Sequence, residues 1–332
     1  MARRIQNETE LIQTYLAPLT RAAPGAFGLN DDAALIAPEP GTDLVLSTDP
    51  IVAGVHFFET DRADDIAWKA IAVNVSDLIA KGAEPLAYTL ALAFPAPPER
   101  SWMADFARGL ASAQAAFGCH LIGGDTDRTS GPLSIGVTAI GVLPRDSFVP
   151  RHGAEAGDHV FVTGTLGDSA LGLALHRDAA LYGSALTEGD RSFLLGRYLR
   201  PSPRLAMTSV LRAYASAALD VSDGLAKDLA RLAGGCGIRV ALEALPLSPS
   251  ARAALSADPR VINSAISGGD DYEVLFAVAP DQLAGFEKAV AAAAVATTRL
   301  GILSASPGIV FLNGEGHALE LGCTGYDHFG LA

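Results

Sequence analysis

A chain of 332 residues with 49% hydrophobic residues is long enough to bury two cores, and a formal net charge of −13 removes the electropositive surface that a nucleic-acid binder requires. Cys119, Cys236 and Cys323 have no CxxC spacing, which argues against a disulfide framework or a structural zinc site and fits the reduced thiols of a cytoplasmic protein. No apolar run follows the N-terminal arginines and none reaches the roughly 20 residues of a bilayer span, so neither export nor membrane insertion is expected.

In chain order, Leu11, Ile12, Tyr15, Leu16 and Leu19 have helical spacing across residues 8–20, and Pro24-Gly25 closes the segment. The run DLVLSTD from Asp43 reads as a strand ending in its polar triplet. Residues 63–81 form a helix with Asp64 and Asp65 near its start and Gly82 as its C-terminal cap. A strand over 86–94 and a helix over 101–117 follow. HLIGG and LSIGVTAIGVL then read as two strands around a loop at 125–132. Pro144, Pro150, Gly153 and Gly157 mark a domain boundary, giving an N-terminal domain over 1–146 and a C-terminal domain over 147–332. Beyond it HVFVTG, LDVSD, IRVALE, YEVLFAV and RLGIL are strands interleaved with helices such as DSALGLALHR, GLAKDLARLA and 280–296, before a short hairpin-like end. This order of elements gives a two-domain α/β (α+β) protein.

Most acidic residues here belong to a solvated surface, but one subset is placed differently. Asp31 and Asp32 precede an apolar run, Asp49 ends a strand, and Asp125 follows Gly123-Gly124. Asp220 and Asp223 close a strand before a helix, and Asp270 and Asp271 follow Gly268-Gly269. Strand ends beside small residues are where side chains converge on a cleft. Asp77 lies in a helix that is apolar around most of its circumference, so it is expected to be buried and to require a cation, unless Lys81 at the helix end reaches it. Asn74 shares its face. Taken singly, a strand-end aspartate is more often a turn former or an N-cap. Gathered together, these hard oxygen donors, with Ser47, Thr48, Thr126 and Ser222 as auxiliaries, favour magnesium over zinc.

A magnesium-loaded acidic cleft attracts polyphosphates, yet the P-loop pattern GxxxxGK[ST] and the protein-kinase motifs are absent. With only four lysines, Lys69, Lys81, Lys227 and Lys288, phosphates must be held by metal ions and backbone amides. Gly123-Gly124, Gly268-Gly269 and TGTLGDS at 163–169 offer close backbone approach, although the last reads equally well as a strand-to-helix turn with Asp168 as N-cap.

The ordered segments GLNDDAAL, STDPIVAGVHF, AVNVSDLIAKGAEP, LIGGDT, VTGTLGDSALGL, LRPSPR, LDVSDGLAKDL, SGGDDYEVLF and GYDHF resemble the thiamine-monophosphate kinase family from residue 28 to residue 329. That family belongs to a superfamily with aminoimidazole ribonucleotide synthetase and selenophosphate synthetase. The resemblance implies the two-domain aminoimidazole ribonucleotide synthetase-like fold, its N-terminal domain pairing strands across a homodimer into a shared barrel. It implies Asp32, Ser47, Thr48, Asp49, Asp77, Asp125 and Asp220 as magnesium ligands, with Asp223 holding a further ion. It further implies ATP contacts at Gly124, Asp125, Arg151 and Ser222, and substrate contacts at His56 and Asp270. Read from the residues alone, His56 is a surface histidine between core residues and Arg151 a solvated linker charge.

The implied reaction moves the γ-phosphoryl group of ATP onto thiamine monophosphate, the last step in making thiamine diphosphate. A phosphate acceptor is already ionised near neutral pH, so no general base or protein nucleophile is expected; neutralised charge and in-line placement suffice. Three departures stand out: Asn30 where the family commonly has glycine, Asp270 in place of glutamate, and Cys323 where relatives place an aromatic. Rival readings are another ATP-using member of the superfamily, such as an aminoimidazole ribonucleotide synthetase, and a non-catalytic nucleotide-binding relative. Selenophosphate synthetase is disfavoured because the first cysteine is Cys119.

Overall fold

The computed structural model describes residues 4–322 and 325–326. Cys323, and the Asp-His-Phe that ends the GYDHF segment, lie outside the described residues. The chain forms two compact units, Met1–Leu78 with Ala83–Ser147, and Ile79–Gly82 with Phe148–Ala332.

In the first unit, the expected N-terminal helix over residues 8–20 is present but changes its winding. Helix α1 covers Glu8–Leu11, and the chain continues as a wide π-helical turn over Ile12–Leu16 and a tight 3₁₀ turn over Ala17–Thr20. Pro18 has no N–H to continue the α-helical ladder. The core of the unit is a four-stranded sheet of β1 (Thr42–Val52), β2 (Glu84–Phe94), β3 (His120–Arg128) and β4 (Ser134–Pro144), in the order β1-β4-β2-β3. β4 pairs antiparallel with β1 and β2, and β2 pairs parallel with β3. Helices α2 (Ala63–Ala80) and α3 (Arg100–Phe117) supply the connections on either side of β2. α2 is buried around nearly its whole girth, as its apolar composition requires. Gly109 of α3 lets the two helices touch, because a Cβ there would stand 2.6 Å from the Asp64 Cα.

Two strands run further than their sequences suggest. Asp49 and Asp125 lie inside β1 and β3, not at their ends, because Asp49 pairs with Val137 and Asp125 with Ala91. β1 is an edge strand of 11 residues exposed along most of its length, with Leu44 and Leu46 at 37% and 64% exposure, so its polar residues incur no burial penalty.

The second unit contains β5 (His159–Thr163), α4 (Asp168–Arg177), α5 (Glu188–Leu199), α6 (Thr208–Tyr214), β6 (Ala215–Asp220), α7 (Leu225–Ala233) and β7 (Gly237–Ala241). It continues through α8 (Pro249–Ala257), α9 (Val261–Ser267), β8 (Val274–Val278), α10 (Leu283–Ala293), β9 (Thr297–Ile302) and β10 (Gly308–Leu312). Four strands form an antiparallel sheet in the order β6-β8-β5-β9, and β10 runs parallel to β7. Leu166, Leu171, Leu229, Ile238 and Leu275 are among the buried side chains that fill its core. Among the described residues, no helix is long and apolar enough to cross a membrane.

Candidate functional site

The loop before β1 and the glycine pair of β3 enclose a cavity of about 360 Å³ in the first unit. The chain turns left-handed through Phe27, Gly28 and Leu29, with φ of 49°, 64° and 59°. These residues, not Asn30, carry the unusual geometry; Asn30 has φ −108° and ties the turn through its Nδ2 to the Gly28 carbonyl at 3.1 Å. The turn delivers Asp31 and Asp32 to the cavity, where the Asp31 carboxylate accepts the Asp32 N–H at 2.8 Å. Gly124 is required because a Cβ there would run into the Leu90 carbonyl. That close approach holds β3 on β2 and sets Asp125 at the cavity wall beside Thr126, whose N–H the Asp125 carboxylate accepts at 2.8 Å. Asp32, Gly124 and Asp125 are exposed, and no lysine or arginine is among the lining residues.

A second group forms where α2 meets β1. Asp77 accepts the Ser47 hydroxyl at 2.5 Å. Asn74, fully buried, accepts the Asp49 N–H at 2.8 Å and donates to the Asp49 carbonyl at 3.3 Å. Asp77 is only half-buried, in contrast to the burial expected of it, because it looks towards the exposed strand β1 and not into the core. Lys81 donates to the Ala218 carbonyl at 2.5 Å. Strand alternation turns Thr48 to the other face, where its hydroxyl accepts from Thr138 at 3.0 Å and donates to the Val137 carbonyl at 3.1 Å. His56 occupies the turn after β1, its Nδ1 accepting the Val52 N–H at 3.0 Å.

In the second unit, LDVSD and SGGDDYE run side by side. Val221 donates to the Glu273 carbonyl, Tyr272 to the Val221 carbonyl, and Asp270 to the Ser222 carbonyl, at 2.8 to 2.9 Å. This brings Asp220, Ser222, Asp223 and Asp270 to one end of the sheet. Asp220 is 7% exposed. Asp270 has φ of 69°, and its carboxylate accepts the Tyr272 hydroxyl at 3.1 Å. Arg151 is exposed in the loop before β5. Asp223 is held through Oδ2 by two cations, Lys227 at 3.0 Å and Arg231 at 2.8 Å, so an ion there shares the carboxylate with them.

Two organising residues, Asp228 and Glu273, escaped the reading of the sequence, and Asp271, singled out there beside Asp270, braces the fold. Asp228 of α7 accepts the N–H groups of Ser222 and Asp223 at 3.2 and 3.0 Å; burial raises its carboxyl pKa while the Asp223 amide and Arg231 oppose that shift. Glu273, fully buried, accepts from Arg197 at 2.8 Å, from Arg204 Nε at 2.7 Å and from the Thr163 hydroxyl at 2.7 Å. Asp271 accepts the N–H groups of Gly167 at 2.7 Å and Ser169 at 3.3 Å. Burial pushes its carboxyl up to about 8 against those amides and Arg197. The TGTLGDS turn offered as a phosphate cradle is thus filled by the protein's own carboxylate. Asp168 caps nothing there; it accepts the hydroxyls of Thr165 and Ser248, both at 2.5 Å. The available signal was the acidic spelling of SGGDDYE inside a run that is otherwise core.

Among the described residues, no group of three or more His, Cys, Asp or Glu lies close enough to hold an ion unaided. The donors are nonetheless the hard oxygens magnesium takes, exposed and without lining cations at the cavity. Magnesium is commonly held by one or two carboxylates with substrate phosphates and water completing its shell, so the donor set fits.

Models of the AIR synthase related protein family match the chain twice, the N-terminal domain over residues 30–143 and the C-terminal domain over 155–312. A thiamine-monophosphate kinase of Caulobacter vibrioides is 43% identical over 314 residues, covering 93% of this chain and 85% of that protein. The crystal structure of thiamine-monophosphate kinase from Stenotrophomonas maltophilia matches with a TM-score of 0.79 at 39% identity, covering 88% of this chain and 91% of the other. The structure of AaThiL complexed with AMPPCP and TMP matches with a TM-score of 0.76 at 32% identity, covering 92% and 97%. With both domain models in order and relatives this similar over nearly its whole length, the chain belongs to the thiamine-monophosphate kinase family of AIR synthase related proteins.

Proposed function

We propose that this chain transfers the γ-phosphoryl group of ATP directly to the phosphate of thiamine monophosphate, releasing thiamine diphosphate and ADP. The observation that carries the reading is the cavity of the first unit, where Asp32 and Asp125 stand exposed over Gly123-Gly124 with no basic side chain in its lining. Such a wall repels a polyphosphate on its own and suits one that arrives with divalent cations. The complex of AaThiL with AMPPCP and TMP supports the same reading.

In this proposal Asp32, Ser47, Thr48, Asp49, Asp77, Asp125, Asp220 and Asp223 hold magnesium, which when bound would neutralise phosphate charge and align the transferred group. Gly124 and Asp125, with Arg151 and Ser222, contact ATP; His56 and Asp270 contact the thiamine phosphate. Residues 1–146 then carry the metal and the ATP phosphates, and 147–332 complete the nucleotide and substrate contacts. Asp77 keeps the Ser47 hydroxyl aimed, and Asn74 fixes the backbone on which the Asp49 carboxylate sits. No side chain has to remove a proton from an acceptor that is already an anion. A homodimer accords with the exposed edge of β1 and its Leu44 and Leu46, since long apolar edges are normally covered. A cytoplasmic location accords with the ATP requirement.

Incubation of the purified protein with ATP, magnesium and thiamine monophosphate tests the assignment by the appearance of equal thiamine diphosphate and ADP. Consumption of ATP only with a different acceptor moves the chain to a sibling activity. A phosphorylated aspartate trapped during turnover removes the direct transfer.

A further inference from the structure

Lys69 is 3% exposed in the middle of the nearly all-buried helix α2. A buried ammonium is costly unless its hydrogen bonds are used, and one of them runs to the His56 carbonyl at 3.0 Å. His56 sits in a tightly bonded turn. Its own N–H and that of Val55 reach the Val52 carbonyl at 2.9 and 3.1 Å, and the Gly54 N–H reaches the Phe57 carbonyl at 2.8 Å. Gly54 takes the left-handed conformation, φ 81°, that this turn requires. Phe57 is buried beside it, and the next N–H, that of Phe58, is held by the Asp61 carboxylate at 2.8 Å.

The imidazole closes the same turn, because His56 Nδ1 accepts the Val52 N–H at 3.0 Å. A ring nitrogen that accepts a backbone N–H carries no proton of its own, so in the neutral ring the proton sits on Nε2. We infer that Lys69 is a positioning residue for the acceptor site: its ammonium holds the His56 carbonyl, and the turn so fixed presents His56 as a neutral imidazole donating from Nε2–H. A donor of that kind suits an anionic oxygen. This role rests on the reading that His56 touches the thiamine phosphate; the tautomer rests on the turn alone.

The test labels the histidines of the full-length protein with ¹⁵N and records two-bond proton–nitrogen correlations near neutral pH, assigning His56 by the signals lost in His56→Gln. The expected pattern is unprotonated Nδ1 with protonated Nε2, and an Nε2 signal that moves when thiamine monophosphate is added. Lys69→Met is expected to mix the tautomers and to raise the KM for thiamine monophosphate about tenfold, the scale of one hydrogen bond to a charged group. The KM for ATP is expected to stay as it was. Lys69→Arg, which keeps a cationic donor, restores part of the loss. Protonated Nδ1 in the wild-type spectrum overturns the inference, and so does a Lys69→Met protein with unaltered tautomer and KM. Should Lys69→Met fail to fold, the wild-type spectrum with and without thiamine monophosphate decides alone. An Nε2 signal unmoved by the ligand removes the role of Lys69 at the acceptor site. Absence of thiamine diphosphate formation together with the expected tautomer sinks the assigned reaction and leaves the turn's chemistry standing.

Discussion

The acidic residues at the cavity of the first unit and those inside the core of the second do opposite things. Around the cavity of the first unit, Asp31, Asp32 and Asp125 are exposed, and the carboxylates of Asp31 and Asp125 accept the N–H of the next residue in the same loop or strand. In the second unit Asp168, Asp228, Asp271 and Glu273 have no solvent exposure or almost none, and each is matched by hydroxyls, amides or guanidinium groups. One residue type therefore serves as a solvent-facing charge for ligands in one place and as an internal brace in the other. Position relative to solvent decides which, since an ion keeps its hydration at the first site and must be compensated by the fold at the second.

The comparison is broken most directly at Glu273. Glu273→Ala leaves Arg197 and Arg204 without their shared carboxylate, and a loss of about 3–5 kcal/mol in urea unfolding is expected from opening a buried pair. An unchanged unfolding midpoint would mean that the brace contributes nothing. Next in size is a dependence on pH. The Asp271 carboxyl is raised from 3.8 to about 8 by burial, so the folded protein keeps a proton that the unfolded chain gives up. Its contribution to stability is therefore complete below about pH 4 and is lost as pH rises towards 8. Asp168 and Asp228, also raised by burial, act in the same direction. Melting temperatures of Asp271→Asn and wild type, compared from pH 4 to 8, are expected to diverge in the variant's favour as pH rises; a constant difference contradicts this.

At the cavity the same kind of change has the reverse signature. Asp125→Asn is expected to alter stability by no more than about 0.5 kcal/mol, as at exposed sites generally. It is expected to lower kcat/KM by about a hundredfold or more, above the roughly ten- to hundredfold loss typical of residues that merely support a metal ligand. Retained activity would remove Asp125 from the ligand set. The smallest effect is at Asn74, where Asn74→Ala takes two hydrogen bonds from the Asp49 backbone; a cost of about 1–3 kcal/mol in unfolding is expected. Its activity should recover in part at high magnesium, because the ligands remain and only their placement loosens.

Much of the fold was legible because its signals are local. The apolar girth of α2 and its cap at Gly82 follow from neighbouring residues, and the helix expected over 101–117 and the strand expected in LSIGVTAIGVL coincide with α3 and β4. The ends of β1 and β3 were misjudged because a polar triplet reads as a turn until its partner strand is known; Val137 and Ala91 extend the ladders past it. The change of winding after α1 was not read from the apolar spacing, although Pro18 was a local sign of it. Asn74 and Asp77 were singled out by their polarity inside an apolar helix, but the half-burial of Asp77 was not legible because their partners on β1 lie 25 and 30 residues away.

The sequence by itself determined most of the order of elements, missing α8 and α9 between β7 and β8, together with the hard-oxygen character of the candidate ligands and, through its ordered motifs, the family. Only the tertiary structure decided which carboxylates face water and which are enclosed, because enclosure comes from contacts such as Thr163 with Glu273, 110 residues apart. It also decided between the two readings of TGTLGDS, because Asp271 fills that helix N-terminus through a bond to Gly167 across 104 residues. The charge of a side chain is written in the sequence; the price of keeping that charge is set by what the folded chain places beside it.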